Sequence, residues 1–159
     1  MHTHCDDRGR SLLSIYDHLP ELPGQFNASI LYAGVIKAWH RHRLQTDHWT
    51  VPAGNLKVGL FNAEAAPLVA ELVLAGPTPG SERRQSCTVA PNSGYTLYLG
   101  EHRPGVLSIP PGLWHGGVAT GGRDAVLLYY VTRKYDPANP DEERRDWNAF
   151  PFAWEVEFK

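Results

Sequence analysis

Glycine and proline cut this chain into short apolar runs, and none of the runs has the length and 3.6-residue rhythm of an amphipathic helix. Residues 12–16, 28–32, 35–40, 47–51, 55–62, 68–74, 95–99, 106–109, 114–119 and 125–132 read as strands. The 15 Gly and 13 Pro lie between the runs rather than in one block, which describes tight turns and not a linker or a collagen-like repeat. Many short strands at short intervals give an antiparallel sandwich or barrel. Residues 1–11 are polar and predict a loose start. Residues 17–27 and 77–86 predict loops, and 136–146 a loop leading into one helical turn. Pro52–Gly54 and Gly121-Gly122 read as hairpin turns, and Glu155–Phe158 alternates like an edge strand.

A chain of 159 residues is the size of one domain, and 42% apolar residues give it a core. A net charge of −2 without a basic stripe argues against nucleic acid. No apolar run is long enough to span a bilayer, and the start lacks an apolar signal core. Two cysteines, Cys5 and Cys87, do not make a disulfide framework, so a cytoplasmic location is expected.

Chemistry concentrates in Gly34–Gly54, GVIKAWHRHRLQTDHWTVPAG. His40 and His42 are two apart, so on a strand both imidazoles point to one face. Val35, Lys37 and Trp39 then take the other face from Ile36, Ala38 and His40. Ile109–Gly116, IPPGLWHG, offers a third imidazole, His115. The spacing of Gly34, His40, His42, Asp47 and Gly54, followed by Pro110, Gly112 and His115, resembles the two motifs of the metal-binding cupins, with Asp47 in the position of the usual glutamate. That resemblance implies one divalent metal ion held by His40, His42, Asp47 and His115. The alternative is that the histidines serve as polar catalytic or structural groups without a metal.

A longer likeness runs in order over nearly the whole chain. Asp7-Arg8-Gly9, Gly34–His40, Ile109–Gly116, Tyr129–Pro137 and the Trp147-Asn148 and Trp154 positions resemble the motifs of the dTDP-4-dehydrorhamnose 3,5-epimerase family. The resemblance implies a single all-β domain over residues 1–159, a double-stranded β-helix of the cupin or jelly-roll type. It also implies a homodimer and a nucleotide-sugar substrate, with proton transfer beside a 4-keto group and no cofactor. His40 takes the position of the family's base and Tyr129 that of its general acid, with Tyr130 one residue away. Lys37 stands where the family has arginine, and Lys37, His42, His115 and Tyr135 become substrate-binding candidates. Three positions depart from the pattern. Asp47 falls where the family has lysine, Ala149 near the base-orienting aspartate, and His42 where the family has glutamine. Lys37–His42 also resembles the R-G-x-H-a-H segment of the nucleotide-sugar 3,4-ketoisomerases, in which a histidine pair shuttles protons on one face of the sugar. An inactive ligand-binding homologue is the remaining alternative.

The other candidates have simpler readings. Trp39 and Trp114 suit either sugar stacking or a sheet core. Arg83 and Arg84 suit a pyrophosphate clamp or a solvated loop. Residues 141–145 read as a charged surface turn and Cys87 as a core residue. His18, His48 and His102 have no partner pattern.

Overall fold

The computed structural model describes residues 2–13, 24–76 and 81–155. Every regular element among them is a strand. The order is β1 (His2–Asp6), β2 (Gly9–Leu13), β3 (Gln25–Leu31), β4 (Ile36–Arg41), β5 (Asp47–Ala53), β6 (Asn55–Asn62), β7 (Leu68–Leu74), β8 (Arg83–Val89), β9 (Ser93–Gly100), β10 (Gly105–Ile109), β11 (Trp114–Thr120), β12 (Ala125–Val131) and β13 (Glu143–Arg144). No helix among these residues is long and apolar enough to cross a membrane.

The strands form two antiparallel sheets. One has eight strands in the order β1-β2-β3-β12-β5-β10-β7-β8, and the other five in the order β13-β4-β11-β6-β9. This is the jelly roll expected from the sequence. Between the sheets lies a core built on alternate residues. Leu56, Val58 and Leu60 of β6 meet Leu72, Cys87, Val89, Leu97, Leu99 and Leu107 from both sheets. Each fully buried leucine adds about 1.5–3 kcal/mol of apolar burial, and strict alternation is what directs every one of them inward.

Several local expectations change. The start is not loose, because β1 and β2 pair residue for residue and β2 continues onto β3. The strand placed at residues 12–16 ends within β2 at Leu13, its last three residues lying outside the described set, as do residues 17–23 of the expected loop. The remainder of that loop opens β3 at Gln25. Neither Pro52–Gly54 nor Gly121-Gly122 closes a hairpin. β5 and β6 belong to different sheets, as do β11 and β12, so these turns carry the chain from one sheet to the other. Gly54, with φ +73°, makes its corner where an added Cβ would lie 2.4 Å from the Asp124 carbonyl. Arg83 and Arg84 lie on β8, not in a loop; residues 77–80 are outside the described set. Residues 136–146 form no helical turn but supply β13, which pairs with β4. The proposed last strand falls largely on residues 156–159, also outside the described set.

The outer face of the five-stranded sheet is covered by the chain after β13. Trp39, Phe61, Trp114, Val118 and Trp154 form a second buried cluster, with Phe150 and Phe152 against it. The Trp147 carbonyl accepts the indole N–H of Trp39 at 3.0 Å and of Trp154 at 3.1 Å. Trp39 and Trp114 are therefore core residues of this outer layer and not a sugar platform.

Candidate active site

The functional geometry starts from an irregularity in β4. Against β11, His40 pairs with His115, but the next matched pair is Lys37 with Gly117. β4 therefore spends one more residue than β11 over this interval, which is a β-bulge at Ala38–Trp39 opposite Gly116. The bulge breaks the alternation expected from the sequence. Lys37 and His40, three apart, both line the interior cavity, while Ile36, Ala38 and Trp39 go to the outer cluster. Gly116 permits it, since an added Cβ would lie 2.3 Å from the Ala38 Cβ and 2.8 Å from the Lys37 carbonyl.

The cavity holds about 1220 Å³ between the two sheets. Leu31, Trp49 and Leu127 of the main core form part of its lining, so its floor is the upper layer of that core. The sequence candidates His40, His42, Asp47, His115, Lys37, Tyr129 and Tyr135 all line it. Arg83 and Arg84 do not, and they are exposed on β8. Of the two adjacent tyrosines, Tyr129 enters the cavity. Tyr130 turns to the opposite face, 4.8 Å from Phe26 and 5.9 Å from His48 between ring centroids. The His48 Nδ1 meets the Ser108 hydroxyl at 2.8 Å, which accounts for that histidine.

Three of the candidates converge more tightly than the rest. His42 Nε2 lies 3.7 Å from Asp47 Oδ1, and His115 Nε2 lies 3.6 Å from Asp47 Oδ2. Their ligand-type atoms all fall within 4.8 Å of one another. Asp47 and His115 are 3% and 2% exposed. The His115 Nδ1–H donates to the Leu113 carbonyl at 3.0 Å, and the His42 Nδ1–H donates to the Asp141 carbonyl. Asp47 accepts the Gln45 amide at 2.9 Å and the Trp49 indole N–H at 3.2 Å. Burial pushes the Asp47 carboxyl upward, but His115, His42 and the Trp49 indole outweigh it and leave its pKa below the usual value. The carboxylate is thus ionised in the fold.

His40 stands beside this group and is not part of it. Its ring centroid is 6.4 Å from that of His115. Burial, followed by the charges of His115, Lys37, Arg144 and His42, holds its pKa well below the ordinary histidine value, so its ring is neutral. Among the described residues no carboxylate hydrogen-bonds to it, in keeping with Ala149 at the position of the orienting acid. Tyr129 is pushed the other way. Burial raises its pKa to about 12 against the moderating hydrogen bond with Ser29, so it remains a proton donor. Lys37 donates to Ser29 Oγ at 3.2 Å, which links Lys37 to Tyr129 through one hydroxyl.

The sequence reading did not identify two contributors. Asp141, assigned there to a surface turn, accepts the backbone N–H of Arg43, Leu44 and Gln45 at 2.9, 2.9 and 3.0 Å, and its own carbonyl holds His42. Gln45 orients Asp47 from two residues away on the same strand approach, a spacing visible in Q-T-D had a second polar group been sought.

Two antiparallel sheets closed around a polar, histidine-bearing cavity define a cupin. The chain is 34% identical to the spore coat polysaccharide biosynthesis protein SpsL of Bacillus subtilis, over 98% of this chain and 92% of that one. It is 32% identical to the probable low-salt glycan biosynthesis epimerase Agl13 of Haloferax volcanii, over 94% and 90%. A dTDP sugar isomerase from Desulfovibrio desulfuricans superposes with a TM-score of 0.61 at 23% identity, covering 96% of this chain and 86% of that one. No family model matches the sequence. The chain belongs to the dTDP-4-dehydrorhamnose 3,5-epimerase-like cupins, a family of sugar epimerases and isomerases.

Proposed function

We propose that this protein moves a proton beside the keto group of a 4-keto-6-deoxy sugar nucleotide, with His40 as base and Tyr129 as acid. The observation that carries the reading is the position of the two groups. His40 belongs to β4 of the five-stranded sheet and Tyr129 to β12 of the eight-stranded sheet, and both line one cavity. A pyranose between the walls would offer one face to each. Removal of a proton from one face and its return from the other inverts the carbon. A neutral imidazole can take the proton, and a phenol held protonated can give one back. Lys37, reaching in from β4, supplies positive charge toward the enolate oxygen or a phosphate.

The cavity exceeds the roughly 300–1000 Å³ of pockets for drug-sized ligands, which suits a sugar carrying a nucleoside diphosphate. Arg8, Arg43, Arg133, Lys134 and Arg144 line it with Lys37, a lining compatible with two phosphates. In this reading His42, His115 and Tyr135 contact the substrate. The proton transfer itself needs no redox cofactor. In the same reading the molecule works as one cupin domain that pairs as a homodimer, as the motif resemblance implies, and its two cysteines without a disulfide framework suit the cytoplasm. The 3,4-ketoisomerase alternative would use His40 and His42 on one face. The acid on the opposite wall favours epimerisation.

The test is deuterium uptake from D2O into a 4-keto-6-deoxy sugar nucleotide, followed by NMR. The wild-type protein should label a carbon next to the keto group, and His40→Ala should abolish the labelling. Unchanged labelling in His40→Ala removes the assignment. Binding without any labelling by the wild type makes the protein an inactive homologue.

A further inference from the structure

We propose that Lys37 reloads the acid of the site: once Tyr129 has given its proton to the sugar, Ser29 hands a proton to the phenolate and takes one from the Lys37 ammonium. The inference rests on the proposed function and adds the step that returns Tyr129 to its starting state. Strand register lays out the route. In the pairing of β3 with β12, Asn27 stands opposite Tyr129 and Ser29 opposite Leu127. Alternation turns Asn27, Ser29 and Tyr129 to one side, and all three line the cavity. Ser29 and Tyr129 are diagonal neighbours, a separation that an aromatic side chain spans, and they are hydrogen-bonded. Lys37 arrives from the other sheet. The bulge in β4 directs it inward, and its Nζ donates to Ser29 Oγ at 3.2 Å.

Donor chemistry gives this chain of hydrogen bonds a direction. An ammonium only donates, so Ser29 Oγ is the acceptor in its bond with Lys37. The Ser29 hydroxyl proton then goes to Tyr129 Oη. Their bond acts to lower the pKa of the phenol, the effect of a hydroxyl that donates to the phenol oxygen. Both bonds therefore point from Lys37 to Tyr129. Ser29 is 1% exposed and reaches the phenol from the wall of the cavity. The route thus stays open when a nucleotide sugar fills the cavity and shuts out water.

The proton count closes over a turnover. Tyr129 breaks its O–H bond as the new C–H bond forms on the sugar. Ser29 loses its proton to the phenolate and gains one from Lys37, which is left as an amine. His40 holds the proton it took from the sugar and releases it to water, and Lys37 takes one up from water, so none is consumed. The transfer runs downhill, because an ordinary ammonium, with a pKa of about 10.4, is a stronger acid than a phenol raised to about 12. A guanidinium keeps its proton beyond about pH 12 and could not supply it.

The test separates the first turnover from later ones. Labelling of a dTDP-linked 4-keto-6-deoxyhexose in D2O is followed by rapid quench, first with the full-length protein in excess and then at saturating substrate. Lys37→Arg keeps the charge and a donor to Ser29 but cannot give up a proton, and Ser29→Ala removes the middle link. Both should label close to the wild-type rate in the first turnover and about 10²-fold more slowly at steady state. Ser29→Thr keeps the hydroxyl and should keep the wild-type pattern. Repeated turnover of Lys37→Arg and Ser29→Ala at the wild-type rate would overturn the relay. So would a first turnover slowed as much as the later ones, which would make the two residues supports for Tyr129 and no more. Labelling that depends on His40 but is indifferent to both substitutions would sink this inference and leave the proposed function standing. A wild type that labels no carbon would remove the two together.

Discussion

Gly116→Ala tests whether the bulge in β4 sets the catalytic geometry. The new Cβ would sit 2.3 Å from the Ala38 Cβ and 2.8 Å from both the Ala38 Cα and the Lys37 carbonyl. The closest approach is about 1.1 Å short of the 3.4 Å at which ordinary contact begins. Two of the three obstacles are backbone atoms, so no rotamer change relieves them, and β4 must shift from β11 by about 1 Å. His40 lies two residues beyond Ala38 and pairs with His115 across the same two strands. A misplacement of about 1 Å at a reacting group costs about 10²-fold in rate. Overpacking of this kind costs about 1–3 kcal/mol, or roughly 2–12 °C in Tm for a chain of this size. The assay is the rate of deuterium labelling at saturating substrate, with a urea melt alongside. Gly121→Ala is the control. Gly121 has φ +77° and open space around its Cβ position, so alanine there should cost about 1 kcal/mol and leave the rate alone. A folded Gly116→Ala protein with the wild-type rate and an unchanged urea midpoint would refute the link between the bulge and the site.

Tyr129→Phe should reduce labelling by about 10²–10⁴-fold as a lost general acid. The same substitution should change alkaline stability. With a folded pKa near 12 against an ordinary value of 10, Tyr129 keeps its proton in the fold after it has lost it in the unfolded chain. Its contribution is complete below about pH 10 and disappears as pH rises through 12, so urea midpoints of the wild type should fall more steeply over that interval than those of Tyr129→Phe. Trp154→Ala removes a side chain that is 3% exposed, centred 4.8 Å from Trp39 and 4.6 Å from Phe152. It should cost about 3–5 kcal/mol in a denaturant melt. Asp141→Ala leaves three loop N–H groups without their acceptor and should lower the labelling rate about 10-fold with a small change in Tm, and Asp141→Asn should recover part of it.

Most of the strands could be read from the sequence because alternation is local. Leu56, Val58 and Leu60 declare an inward row without reference to any other segment. The histidines at 40, 42 and 115 could also be read, since their motifs are short and contiguous. What the sequence did not reveal depended on partners far along the chain. Gly54 and Gly121-Gly122 look like hairpin turns because a glycine with positive φ serves a corner between sheets as well as a turn within one. The bulge at Ala38–Trp39 exists only against Gly116. Its effect is that Lys37 and His40 share a face, which strict alternation forbids. Asp141 looks like one more surface acid until the loop it holds, 96 to 98 positions away, folds over it.

The most direct measurement is a crystal structure of Tyr129→Phe with a 4-keto-6-deoxy sugar nucleotide bound. The pyranose should lie between β4 and β12, with a His40 ring nitrogen within about 3.2 Å of the carbon it deprotonates and the side chain at position 129 on the opposite ring face. A sugar bound outside the cavity, or one with both side chains on the same face, would contradict the proposed chemistry.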